Sequence, residues 1–284
     1  MNAGPSLAVT GSTGHLGGLV ARQLAGAGSP QRLLVRDPGR APELEEAVPA
    51  VVSYADPVLA KAALEGVKTL FMVSAAEAED RRQQHCTFVD AAAAAGVQHI
   101  VYTSFFGAAA DSTFTLGRDH FATEERIKAS GMAYTFLRDN FYLDFLPMLA
   151  GADGVLRGPA GDGVMAAVAR ADIARSAVTV LRDPALHIGR TYDLTGPEDL
   201  SLARAAELLT AGTGRTITFH NETVEEAYAS RASYVAPPWQ VDAWVSTYTA
   251  IAAGELAGPT SAVHELTGRE PLGLAQFLAE SHTI

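Results

Sequence analysis

Three glycines stand at a spacing that can hold a phosphate. The segment Thr10-Gly11-Ser12-Thr13-Gly14-His15-Leu16-Gly17 carries them at 11, 14 and 17, the pattern GxxGxxG, directly after a short apolar run. A glycine in the first place allows a tight turn, one in the second lets backbone approach a pyrophosphate, and one in the third lets a helix pack on a sheet. The N–H groups that open the helix then face the diphosphate at the positive end of the helix dipole. The pattern predicts a dinucleotide held across residues 11–17, with Gly11, Ser12, Thr13, Gly14, His15, Leu16 and Gly17 as its contacts. Without a ligand, the same spacing is only a tight turn between a strand and a helix.

The choice of dinucleotide is expected further on. A carboxylate about 20 residues beyond the glycines would bind the ribose diol of NAD. Here Leu33-Leu34-Val35 is followed by Arg36, whose planar and permanently charged fork suits a 2′-phosphate. NADP(H) is therefore the preferred cofactor, with NAD(H) as the alternative. Asp37 comes next, where it could serve NAD or simply pair with Arg36, and a solvated Arg36 with no role is the plainer reading.

Other chemistries find little support. Cys86 is the only cysteine, which excludes an intramolecular disulfide and a thiolate zinc site. It lies in an apolar-periodic run with Val89 and Ala93 and reads as a buried structural thiol rather than a nucleophile. His85, His99, His187, His220, His264 and His282 are scattered, with no HExxH pair and no GxSxG elbow, so no metal site and no hydrolase is expected.

The elements that must position the glycine turn alternate from the start. Strand-like runs at 7–10, 32–35, 51–53, 69–74, 99–104 and 134–138 interleave with helical patterns, among them a stripe of Leu16, Leu19, Val20 and Leu24, a run at 80–95 and another at 119–130. Continuous apolar strands between amphipathic helices mean a parallel sheet covered on both faces, and right-handed crossovers leave the doubly wound topology. The predicted class is α/β, a Rossmann-type doubly wound parallel sheet with a smaller C-terminal α/β lobe. Residues 1–150 would form the NAD(P)-binding domain and 151–284 a substrate-binding lobe, some of its segments returning to the sheet.

Composition narrows the partners. With 48% hydrophobic and 19% charged residues the 284-residue chain supports a sizeable core. A net charge of -11 and the lack of a Lys/Arg stripe argue against nucleic acid. No signal-like leader and no apolar run of membrane length is seen, so a cytoplasmic protein with no membrane partner is expected. A homodimer is compatible with all of this.

Several segments, in order, resemble the NmrA-like, atypical short-chain dehydrogenase/reductases, most of all their quinone- and triphenylmethane-reducing branch. They are the glycine loop, Val35-Arg36, Tyr102-Thr103-Ser104, His120-x-x-x-Glu124, Leu137-Arg138-Asp139-Asn140-Phe141-Tyr142, Val168-Ala169-Arg170-Ala171-Asp172-Ile173-Ala174 and Leu266-Thr267-Gly268-Arg269. The chain departs from the wider dehydrogenase pattern, since Leu116 and His120 occupy the places of the Tyr-x-x-x-Lys pair and Ala122 falls where the isoflavone-reductase branch carries a lysine.

The resemblance implies an NADPH-dependent reductase that passes hydride to a quinone or similar small, planar, hydrophobic acceptor. A non-catalytic redox-sensing regulator acting through a protein partner is the alternative. Ser74, Ala75, Thr103, Asn140, Phe141 and Arg170 would join the glycine loop and Arg36 around the cofactor. Phe105, Phe106, Tyr142 and Phe145 would face the acceptor with flat aromatic surface. His120, as proton donor, and Ser104, at a strand end, are the catalytic candidates.

Overall fold

The computed structural model describes residues 4–281; His282, one of the scattered histidines, lies outside them. The opening apolar run forms β1 (Leu7–Thr10); of the expected stripe Leu16, Val20 and Leu24 are buried on α1 (His15–Gly26), together with Ala21, while Leu19 is only half-buried. There follow β2 (Gln31–Val35), β3 (Ala47–Val51), α2 (Pro57–Leu64), β4 (Thr69–Met72), α3 (Arg81–Ala94), β5 (His99–Phe105), α4 (Thr115–Ala129) and β6 (Ala133–Asp139). The start of α2 is set locally: Asp56 accepts the N–H groups of Val58 and Leu59, and Pro57 takes the first helical position.

Further elements follow. They are α5 (Leu146–Leu149), β7 (Val155–Gly158), β8 (Val164–Met165), α6 (Arg170–Arg182), β9 (Arg190–Leu194), β10 (Leu200–Ser201), α7 (Leu202–Thr213), β11 (Thr218–Asn221), α8 (Val224–Arg231), α9 (Pro238–Ala252), α10 (Ala262–Thr267) and α11 (Leu274–Ser281). Among the described residues no helix is long and apolar enough to cross a membrane.

Seven strands form one sheet in the order β3-β2-β1-β4-β5-β6-β9. The pairs β1–β2, β2–β3, β1–β4 and β4–β5 are parallel, which is the expected Rossmann-type arrangement. The chain builds outward from β1 to β3, then restarts on the other side at β4. That reversal is a topological switch point, and ligands of such sheets bind outside the carboxyl ends of the strands there. The glycine turn follows β1 and Ser74-Ala75 follows β4, so topology alone brings both to this point.

One strand differs from its expectation. The third lies at Ala47–Val51 and not at 51–53. It is an edge strand with Val48 and Val51 exposed and Pro49 in its middle. An edge strand needs no continuous apolar run and tolerates proline, so its signal is weak.

The chain divides into two compact units that are interleaved along the sequence, where a single boundary near 150 is the sequence expectation. Among the described residues one comprises 4–104, 119–138 and 173–192, the other 105–118, 139–172 and 193–281. The core of the first includes Leu64, Leu70, Met72, Phe88, Ile100, Tyr102 and Phe136, with Tyr54 stacked on Phe88 at 4.1 Å. The core of the second gathers Leu143, Leu146, Leu156, Met165, Leu202, Leu209, Ile251 and Leu278.

Candidate functional site

In the first unit the turn after β1 has the shape that its glycines predict. Gly11 takes φ 65, a conformation that side chains disfavour, and its carbonyl accepts the Gly14 N–H at 2.9 Å. A Cβ at Gly17 would stand 2.4 Å from the Gly11 carbonyl oxygen, so α1 can approach the turn this closely only with glycine there. Gly14 caps α1 without a side-chain hydrogen bond, and the first turn carries no acidic residue. The opening N–H groups of the helix are thus offered to an anion. Ser12 Oγ is buried without a hydrogen-bond partner, and a bound group that supplies one would satisfy it. These residues fit a dinucleotide diphosphate.

Arg36, at the carboxyl end of β2, is exposed and forms no ion pair among the described residues. Asp37 turns away from it: its carboxylate accepts the Gly39 N–H at 3.0 Å and caps the short turn Pro38–Arg40. The guanidinium is therefore available to a phosphate, while the neighbouring carboxylate is spent on its own backbone.

The loop after β4 is pinned by a buried polar network. The Ser74 N–H donates to Thr103 Oγ1 at 2.9 Å and the Ala75 N–H to His85 Nε2 at 2.9 Å. The Arg81 Nε–H donates to the Ala75 carbonyl at 3.0 Å. Arg81 is 3% exposed, and its other nitrogens reach Asp119 at 3.4 Å and His120 Nε2 at 2.9 Å. A guanidinium only donates, so His120 Nε2 accepts and its Nδ1–H donates to Tyr102 Oη, 3.0 Å away. By the same logic His85 accepts from Ala75 and donates from Nδ1 to Thr123 Oγ1 at 2.9 Å. Burial first, then the Arg81 charge, holds both histidines well below the ordinary range, with His85 adding to the effect on His120. Both are neutral in the fold.

That neutrality predicts acid sensitivity. The unfolded histidines take up protons below about pH 6.5, whereas the folded ones do so only at much lower pH. Their stabilising contribution is complete above 6.5 and is lost as pH falls below it, at up to about 1.4 kcal/mol per group per pH unit. Asp139, whose carboxyl burial raises, acts in the opposite sense above the ordinary carboxylate range. His99 and His187 are also lowered, chiefly by burial, and four histidines outweigh one carboxyl, so chemical-denaturation midpoints should fall steadily from pH 6.5 to 5; a flat profile would show that the buried histidines are charged in the fold.

Ser104 Oγ donates to Glu124 Oε1 at 2.6 Å, and Glu124, wholly buried, is gripped by the Arg138 fork at 2.8 and 2.7 Å. This accounts for the Glu124 of the His-x-x-x-Glu motif: it compensates Arg138 and orients the Ser104 hydroxyl.

In the second unit Asn140 is wholly buried and serves its own backbone. Its amide donates to the Leu256 carbonyl at 3.0 Å and accepts the Phe141 N–H at 2.7 Å. Arg170 is held by Asp144, at 3.0 Å from Nε, and its guanidinium carbon lies 5.2 Å from the Phe145 ring centre and 5.9 Å from that of Tyr142. Phe105, Phe106 and Phe141 are half-buried against the core, and Tyr142 and Phe145 are also half-buried, with rings 5.5 Å apart. Sequence reasoning missed Arg81 and Asp139. A faint signal existed for the first, since a basic residue opening a helix opposes the dipole and wants another reason to be there.

Comparison with known proteins agrees with this geometry. The chain is similar to the NAD(P)H azoreductase of Xenophilus azovorans, 34% identical over 279 residues that cover 96% of each chain. It is 32% identical to quinone oxidoreductase 2 of Escherichia coli over 96% of this chain and 97% of that one. The crystal structure of the E. coli NADPH-dependent quinone oxidoreductase complexed with NADPH superposes with a TM-score of 0.89 at 31% identity, covering 97% of this chain and 99% of that one. Residues 5–236 match the NmrA-like family. Glycine turn, switch point and relatives at this level of identity agree, and the chain belongs to the NmrA-like family.

Proposed function

We propose that this protein is an NADPH-dependent reductase acting on quinones or similarly planar, electron-poor acceptors. The observation that carries the reading is the turn at 11–17, shaped for a diphosphate, together with the unpaired Arg36 guanidinium on the neighbouring strand. Relatives over nearly the whole chain are an azoreductase and a quinone oxidoreductase, whose names share a reducible planar system.

NADPH supplies hydride when bound. Gly11–Gly17 receive the diphosphate, Ser12 Oγ gives or takes one hydrogen bond there, and Arg36 holds the 2′-phosphate. Ser74 and Ala75 are the rigid backbone that the Arg81–His85–Thr103 contacts keep in place beside the turn. Phe105, Phe106, Tyr142 and Phe145 offer aromatic surface to the acceptor. Asn140 and Arg170 shape the segments that carry those aromatics.

His120 takes a different role from the one that its position in the sequence suggests. In this reading the imidazole Nε2 accepts from Arg81 and its one N–H, at Nδ1, is directed at Tyr102 and away from any acceptor. His120→Ala should therefore lower turnover by a similar, small factor across acceptors of different electrophilicity, while it lowers stability by about 1–3 kcal/mol through the buried partners left behind. A rate loss concentrated on weakly electrophilic acceptors would return the donor role to His120.

The direct test is NADPH oxidation followed by absorbance, with and without a panel of quinones and azo compounds. Acceptor-dependent oxidation, faster with NADPH than with NADH, is expected. Tight NADPH binding without turnover on any acceptor would overturn the reductase reading in favour of a redox-sensing regulator.

A further inference from the structure

The backbone of a connecting loop ordinarily bonds to water. The three residues that follow β4 bond to side chains instead. The Val73 N–H donates to Thr10 Oγ1 at 2.8 Å, and the Val73 carbonyl accepts the Tyr54 hydroxyl at 2.7 Å. Ser74 and Ala75 are held by Thr103, His85 and Arg81, at 2.9, 2.9 and 3.0 Å. Five of the six backbone polar groups of 73–75 are thus bonded to side chains from β1, β5, α3 and the segment after β3. Among the described residues only the Ser74 carbonyl has no side-chain partner, so it is the acceptor left to a ligand hydroxyl. All of these residues belong to the first unit.

The two sides of this clamp differ in kind. Tyr54, stacked on Phe88, bonds through a neutral hydroxyl. Arg81 brings a guanidinium, 3% exposed, to the N-terminal end of α3, where the helix dipole opposes a cation. Its carboxylate partner Asp119 stands 3.4 Å away. The Arg81 fork ties Ala75 to Asp119 and His120 on α4, and His85 ties Ala75 to Thr123, one helical turn further along. A buried ion pair is a weak source of stability. What this one secures is the position of Ala75.

Strand order indicates which part of the cofactor meets that backbone. NADPH is a linear molecule, with 2′-phosphoadenosine at one end, diphosphate in the middle and nicotinamide riboside at the other. Arg36 follows β2 and the glycine turn follows β1. The riboside half then continues toward β4, the next strand of the sheet, about 4.8 Å further along. Resting on the cofactor placement in the reading above, we propose that Arg81 and His85 are positioning residues for the nicotinamide riboside half of NADPH. They act through the backbone of Ser74 and Ala75. The adenosine half depends on Arg36 and the glycine turn and is independent of them. Arg36 decides which nucleotide is chosen; Arg81 and His85 decide where its ring lies.

Adenosine 2′,5′-bisphosphate separates the two halves, because it carries the 2′-phosphate and a 5′-phosphate but no nicotinamide riboside. Arg81→Met keeps much of the side-chain volume and removes the fork. It should raise the NADPH dissociation constant about 10-fold, the effect of one lost charge-assisted hydrogen bond. Bisphosphate affinity should stay within about 3-fold, as for an independent site. Arg36→Ala, by contrast, should weaken both ligands. In turnover Arg81→Met should lower kcat as well as raise the KM for NADPH, since a displaced ring leaves the line of hydride transfer. Arg36→Ala should act on KM alone.

Equal weakening of both ligands by Arg81→Met would reduce Arg81 to a support of the fold, and unchanged NADPH affinity would remove it from the site. If Arg81→Met does not fold, the His85 variants decide. His85→Gln retains an acceptor for Ala75 and a donor for Thr123, whereas His85→Leu retains neither. Tighter NADPH binding by His85→Gln than by His85→Leu, with bisphosphate bound alike, supports the proposal; equal NADPH affinity in the two overturns it.

A wild type that binds neither ligand removes the cofactor placement and the proposal with it. A wild type that binds the bisphosphate and NADPH equally tightly removes only the proposal, because the riboside half then gains nothing from the protein.

Discussion

Gly17→Ala should all but abolish NADPH binding, raising its dissociation constant more than about 100-fold, a cost of about 2.7 kcal/mol. The added Cβ would lie 2.4 Å from the Gly11 carbonyl oxygen, 2.5 Å from its carbon and 2.6 Å from the Thr10 carbonyl oxygen. All three are backbone atoms of the turn, so no side chain can swing aside. Either α1 moves off the sheet or the turn opens, and in both cases the N–H groups leave the diphosphate. Overpacking of this kind also costs about 1–3 kcal/mol of stability. Gly26→Ala is the control, because a Cβ there meets nothing within 4 Å and improves helix propensity. Calorimetric titration of both variants decides the matter, and a Gly17→Ala protein that binds NADPH like the wild type would remove the turn from the cofactor site.

Arg36→Ala should weaken NADPH by roughly 10- to 100-fold while NADH changes by no more than about 3-fold, since one charge-assisted contact contributes about 1.5–3 kcal/mol. The two nucleotides differ only by the 2′-phosphate, so the ratio isolates that contact. The structure strengthens the argument because Asp37, the residue that could have paired with Arg36 or bound the ribose diol, caps the turn at Gly39. Removing the guanidinium therefore uncovers no ready carboxylate. Arg36→Lys should recover only part of the affinity, as an ammonium lacks the planar fork. Equal weakening of NADPH and NADH would place the 2′-phosphate elsewhere.

The fold was legible for reasons that are local. Buried parallel strands must be continuous apolar runs, as at Leu33-Leu34-Val35 and Ile100-Val101-Tyr102, and the amphipathic stripe of α1 follows from one face packing on the sheet. The strand that was misplaced, Ala47–Val51, lies at the edge, where half-exposure removes the pattern. The interleaving of the two units was not legible, because segments such as 119–138 and 173–192 return by contacts between residues far apart in sequence.

For the site the division is similar. Types and spacing alone determined the glycine turn, the likeness of the whole to a nucleotide-binding sheet and the candidacy of Arg36, since each depends on residues within one turn or at one strand end. What only the tertiary structure decided is protonation and pairing. His120 is held well below the ordinary histidine range by burial first and then by Arg81, 39 positions away, which donates to it; Ser104 is oriented by Glu124, and Asp139 is left with a buried, open oxygen. A pKa depends on the dielectric and on the charges within a few ångströms, and neither can be read from a chain until it has folded.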